Sequence, residues 1–141
     1  VTKLNTSISF VNGIIEQINY LTNQNYGDLI DCEAPMIYME GKCYFFARIL
    51  LKIYGLDEKE SLMINKTKSH VAVKIDGKIY DACGLVENPN DFKLVDSADF
   101  ITIDLLLSGD KSERRFNDEI VNTIVNLINN DYLKEGNYTY A

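Results

Sequence analysis

The dipeptide Asp76-Gly77 constrains this chain more than any other feature. It stands between "HVAVKI" and "KIYDACG", two runs in which apolar and polar residues alternate. A two-residue Asp-Gly loop selects the turn whose twist matches the flanking strands, so it dictates an antiparallel hairpin and fixes its register. That register pairs Ile75 with Lys78, Val73 with Tyr80 and Ala72 with Asp81, and it sets His70 opposite Cys83. Asp81 then lies diagonal to His70 on the same face, within side-chain reach. "SLMINKT", just upstream, alternates in the same way and reads as a further strand.

A helical period governs the sequence on either side. "TSISFVNGIIEQINYLTNQNYG" repeats Phe10, Ile14, Ile15, Ile18 and Leu21 at helical spacing, with Ser7 or Thr6 to cap it and Gly27 to stop it. "GKCYFFARILLKIYG" begins a second helix near Gly41 or Lys42. It buries Phe46, Ala47, Leu50, Leu51 and Tyr54 as one stripe and stops at Gly55. The connection "DLIDCEAPMIYME" is irregular, because Pro35 blocks a continuous helix. A last helix runs from about Glu113 to Asn130, with Phe116, Ile120, Ile124, Leu127 and Ile128 on one face. Before it, "LVENPNDFKLVDSADF" is a loop with a short strand at Phe92–Val95, and "SADFITIDLLLSG" fits a helix or a strand. Helix, helix, antiparallel strands, helix is an α+β order, and 141 residues suit one domain with a core of its own.

Charge and cysteine usage narrow the function. A net charge of −7 argues against a nucleic-acid binder, which needs a basic face to meet phosphate. No apolar run approaches the ~18 residues of a membrane span, and no secretory segment opens the chain at Val1. Three cysteines, Cys32, Cys43 and Cys83, are an odd number that does not suit a disulfide framework. The expected compartment is a reducing cytoplasm, and no membrane or nucleic-acid partner is expected.

Three side chains carry candidate chemistry. Cys43 falls in the first turn of the second helix, where unpaired amides and the helix dipole favour a thiolate. Gly41 leaves room before it, and the Cys43 amide is available to an oxyanion. The sequence marks no second oxyanion donor; Gln24, Asn25 and Tyr38 are candidates. His70 is the only histidine and stands at a strand edge, and Asp81 could hold one of its ring nitrogens. Each also has an ordinary explanation: a core cysteine, a strand-edge histidine and a strand-end aspartate satisfied by backbone amides. Tyr38, Tyr44, Phe45 and Phe46 could wall a groove near Cys43 or simply pack the core. Cys43, His70, Asp81 and Cys83 are also zinc-ligand types, although no C-x-x-C or H-x-x-x-H spacing groups them. A nucleophile on a helix start, a base on a strand and an acid on the next strand together point to thiol catalysis, with no cofactor or metal.

"GKCYFFARILLKIYGL" followed by "SHVAVKIDGKIYDACG" resembles the papain-like cysteine peptidase superfamily, in small bacterial or phage-type forms with transglutaminase-like or NlpC-like cores. Gly41, Cys43, Phe46, Ala47, Gly55, His70, Val71, Val73, Gly77, Tyr80, Asp81 and Gly84 carry the likeness, which spans roughly residues 41 to 84. The resemblance implies helices packed on a small antiparallel sheet. It also implies Cys43 as nucleophile, His70 as general base and then acid, and Asp81 as the residue orienting His70. The implied reaction is attack on an amide bond of a protein or peptide substrate, with water or an amine as acceptor. The competing expectation is a non-enzymatic acidic binding or inhibitor protein on the same scaffold.

Overall fold

The alternating runs fold as the Asp-Gly loop requires. Asp76 and Gly77 both take positive φ, 50° and 78°, the pair of left-handed residues that a tight hairpin turn uses. The Thr6 hydroxyl donates to Asp76 Oδ2 at 3.0 Å and ties the turn to the N-terminal segment. A computed structural model describes residues 2–27, 33–39, 41–107, 111–133 and 138–140. Along the chain run β1 (Thr2–Leu4), α1 (Ile8–Tyr26), α2 (Met36–Met39), α3 (Cys43–Tyr54) and α4 (Glu58–Ser61). They are followed by β2 (Leu62–Asn65), β3 (Val71–Ile75), β4 (Lys78–Asp81), β5 (Gly84–Leu85) and β6 (Phe92–Leu94). The chain continues through α5 (Ser97–Leu107), α6 (Lys111–Leu127), a π-helical turn over Ile128–Tyr132 and β7 (Tyr138–Tyr140).

The fold is α+β. Five strands form an antiparallel sheet in the order β5-β4-β3-β2-β6, and β1 pairs separately with β7. The hairpin register is the expected one, with Val73 opposite Tyr80 and Ile75 opposite Lys78. One expectation is corrected at its end. β4 stops at Asp81 and does not run on through Cys83, so Asp81 pairs with Gly84 across a tight turn and His70 does not face Cys83. The cause is local: the Asp81 carboxylate accepts the Cys83 amide at 2.9 Å, a side-chain turn that competes with the strand ladder.

Val71, Val73 and Ile75 join the main core beneath the helices, whereas Ala72 and Ile79 pack with Met63 on the opposite face. Period-2 side-chain placement gives the sheet these two faces. α3 lies against β3 and β4 on one side and α6 on another. Burial of Cys43, Phe45, Phe46, Ala47, Ile49, Leu50, Leu51 and Ile53 follows, far more than one stripe. Its polar residues reach out to α6: Arg48 pairs with Asp118, and Lys52 Nζ donates to Asn122 Oδ1 at 3.0 Å. Both pairs rise together in sequence, so α3 and α6 lie alongside each other in the same direction. Gly55 ends α3 in the left-handed conformation, its amide bonded to Leu51 and Lys52 carbonyls.

α1 begins after Ser7 and buries Val11, Ile14, Ile15, Ile18 and Thr22, so Phe10 and Leu21 sit at the margin of its buried face. The undecided segment is helical as α5, and the strand read at Phe92–Val95 is β6. Cys32 and the Phe116 side chain lie outside the described residues. Among the described residues no helix is long and apolar enough to cross a membrane.

Candidate active site

Cys43 is the first residue of α3, and the burial of the helix holds it in place. Its amide belongs to the first helical turn and has no acceptor within the helix. Lys42 and Gly41 precede it, with Gly41 at φ 133°. A Cβ built on Gly41 meets nothing within 4 Å, so glycine is required there for the backbone angle and not for room.

His70 immediately precedes β3, and Asp81 closes β4. The hairpin brings them together: His70 Nε2 and Asp81 Oδ2 are 3.2 Å apart, and both side chains are largely buried. The carboxylate is used on both oxygens, since Oδ1 takes the Cys83 amide. Cys43 and His70 line the same cavity. With Nε2 turned to Asp81, Nδ1 is the nitrogen left for the thiol. The Phe92 ring sits edge-on to the imidazole, 6.2 Å between centroids.

These contacts stabilise the imidazolium. The Asp81 hydrogen bond and then the neighbouring Cys43 side chain outweigh burial and raise His70 from 6.5 to about 9. A histidine raised in the folded state stabilises the fold fully below its unfolded value of about 6.5. That contribution is lost as pH rises through about 9. Asp81→Asn keeps an oxygen for the Cys83 amide but removes the charge facing His70. Thermal unfolding should therefore show a larger loss for Asp81→Asn at pH 6 than at pH 10. An equal loss at both values would mean that the pair does not exist in solution.

A cavity of about 250 Å³ opens beside the thiol, lined by Gly41, Cys43, Lys68, Ser69, His70, Val71 and Ile103. Ile103 comes from α5, and Lys68 and Ser69 from the turn before His70. The sequence had not pointed to these three, because elements far apart in sequence bring them together only in the fold. Asp99 on α5 is buried, and its carboxylate accepts from Lys68 Nζ at 2.7 Å and Lys93 Nζ at 2.8 Å. Those ammonium groups hold the Asp99 carboxyl far below the usual carboxylate range.

Other sequence candidates fall elsewhere. Tyr38 is buried with its hydroxyl 2.8 Å from Thr22 Oγ1, and burial pushes it up to about 12. The Asn25 amide bonds the Leu21 carbonyl, and Gln24 is exposed. Phe45 and Phe46 are core residues, and Tyr44 binds Glu58 at 2.9 Å, so this aromatic set packs the protein and does not line the cavity. Cys83 is exposed, and the partial desolvation of its sulfur together with the Asp81 charge pushes its thiol up. Among the described residues no group of three or more His, Cys, Asp or Glu side chains is placed to hold a metal ion.

Comparison with known proteins finds no match among curated proteins and none among solved structures. A family model described as Phage YunG-like protein matches residues 14–126. The match begins within α1, ends within α6 and takes in all three of Cys43, His70 and Asp81. The chain therefore belongs to the phage YunG-like family.

Proposed function

We propose that this phage YunG-like protein is a thiol-dependent hydrolase or acyl transferase that acts on an amide bond through Cys43, His70 and Asp81. The observation that carries the reading is the His70 ring, 3.2 Å from the Asp81 carboxylate and lining one open cavity with Cys43. The placement of the three on α3, before β3 and at the end of β4 also supports the papain-like resemblance of residues 41 to 84.

Cys43 gives its proton to His70, and the sulfur attacks the carbonyl carbon. A C–S bond forms as the carbonyl π electrons move to oxygen, where the Cys43 amide supports the charge. Collapse breaks the C–N bond, and the imidazolium passes its proton to the departing amine, leaving a thioester. His70 then removes a proton from water or from an acceptor amine, which attacks the thioester and restores the thiol. Asp81 holds the ring and stabilises its cation throughout. A protein or peptide substrate in a reducing cytoplasm suits a chain whose described cysteines are free thiols.

A second reading, an acidic binding protein with an idle site, draws on the net charge of −7 and on the modest cavity. About 250 Å³ is below the ~300–1,000 Å³ common for ligand clefts. Intact-mass spectrometry with activated acyl esters and peptide amides separates the two. The enzyme accumulates an acyl group on Cys43 that hydroxylamine releases, and Cys83 stays unmodified. Failure of every donor class to acylate Cys43 would reject catalysis and favour the binding protein.

A further inference from the structure

Neither ring partner explains what holds the His70 backbone. His70 lies outside β3, so its own amide has no partner in the sheet ladder. That amide donates instead to the side chain of Asn65, the last residue of β2, at 3.1 Å. The same oxygen accepts the Ser69 amide at 2.9 Å, and Asn65 Nδ2 donates to Ser69 Oγ at 3.2 Å. Ser69 Oγ lies 2.7 Å from Thr67 Oγ1. Asn65 is also bonded through its main chain: its amide donates to the His70 carbonyl at 3.0 Å, and its carbonyl accepts the Lys68 amide at 3.0 Å.

We propose that Asn65 is the positioning residue of this site, holding the turn between β2 and β3 in the shape that presents the His70 imidazole to Asp81 and Cys43. The chemistry of the side chain fits the task. One carbonyl oxygen has two lone pairs for two amides, and the NH₂ supplies the donor that Ser69 Oγ takes. Such side-chain to backbone bonds replace strand pairing where the chain must leave the sheet. The turn needs an external hold because Lys68 sits at φ 60°, a left-handed angle unfavourable for a residue with a Cβ. Lys68, Ser69 and His70 all line the cavity, so the same amide shapes one wall of it. A reacting geometry displaced by about 1 Å can lose on the order of a hundredfold in rate, so a loosened turn matters to the chemistry.

The consequence for catalysis rests on the triad proposed above; the hold on the ring does not. Because His70 is the only histidine, its imidazole proton resonances are unambiguous in NMR. In Asn65→Ala the ring should lose its NOE contacts to Phe92, its titration midpoint should fall by about one pH unit or more, and Cys43 alkylation should slow about tenfold. Asn65→Asp keeps an oxygen for both amides and should restore the Phe92 contacts, which an added charge cannot create by itself. Asn65→Ala with wild-type contacts and midpoint overturns the proposal, and so does failure of Asn65→Asp to restore them. If Asn65→Ala does not fold, Asn65→Ser, too short to span both amides, takes its place under the same criteria. A wild-type His70 titrating near 6.5 would sink the triad instead, while the Phe92 contacts would still decide the role of Asn65.

Discussion

His70→Ala should slow alkylation of Cys43 at pH 6 on the order of a hundredfold while leaving Cys83 at its slow wild-type rate. An isolated thiol with the usual value near 8.5 is ionised in about one molecule in 300 at pH 6, and only the thiolate reacts. In the wild type the sulfur lines the same cavity as an imidazole that remains cationic up to about pH 9, a charge that attracts a thiolate. Removing the ring removes that cation. Cys83 is the internal control, since it is exposed but its thiol is pushed up and has no histidine partner. Iodoacetamide labelling followed by peptide mass spectrometry reads both rates in one sample. For acyl transfer itself the same substitution removes a general base and acid, a loss of about 10²- to 10⁴-fold. Equal labelling of Cys43 in wild type and His70→Ala would show that the ring does not activate the sulfur.

The grouping of Cys43, His70 and Asp81 could be seen in the sequence because each sits at an element boundary that the sequence marks. Gly41 and Gly55 bracket α3, and Asp76-Gly77 sets the register that carries Asp81 back toward His70. A two-residue loop leaves the pairing no freedom, so this long-range contact was fixed by local chemistry. The end of β4 was harder to place, because the Asp81 carboxylate ends the strand by taking the Cys83 amide, and nothing in "YDACG" distinguishes that from a continuing strand. α5 resisted assignment for a different reason: the apolar residues of "FITIDLLL" are nearly continuous and leave neither period dominant. The pairing of β1 with β7 joins the two ends of the chain, where three-residue strands carry almost no pattern of their own. Asn65 illustrates the same limit within the site. A strand-end asparagine before "KTKS" reads as ordinary turn chemistry until the turn is seen to carry His70.

Phe46→Ala should destabilise the protein by about 3–5 kcal/mol, the range for emptying a fully buried aromatic position. Phe46 is 2% exposed, one turn after Cys43 on α3, and its ring lies 5.4 Å from that of Tyr38 in a tilted arrangement. Tyr38 is itself anchored by its hydroxyl to Thr22 of α1, so the ring pair joins α1, α2 and α3 one turn after Cys43. Truncation removes the transfer free energy of a benzyl group and leaves a cavity in the main core that the surrounding packing can close only in part. Domains of this kind have only about 5–15 kcal/mol of stability, so one substitution consumes a large part of it. Chemical denaturation should show a lower midpoint with an unchanged slope, whereas a smaller slope would mean that the native state had loosened. Phe46→Leu refills most of the volume and should cost under about 1.5 kcal/mol. If Phe46→Leu restores stability but Cys43 alkylates more slowly than in wild type, the first turn of α3 is set by the shape of the ring behind it. If both recover together, filled volume alone is enough to hold the sulfur against His70.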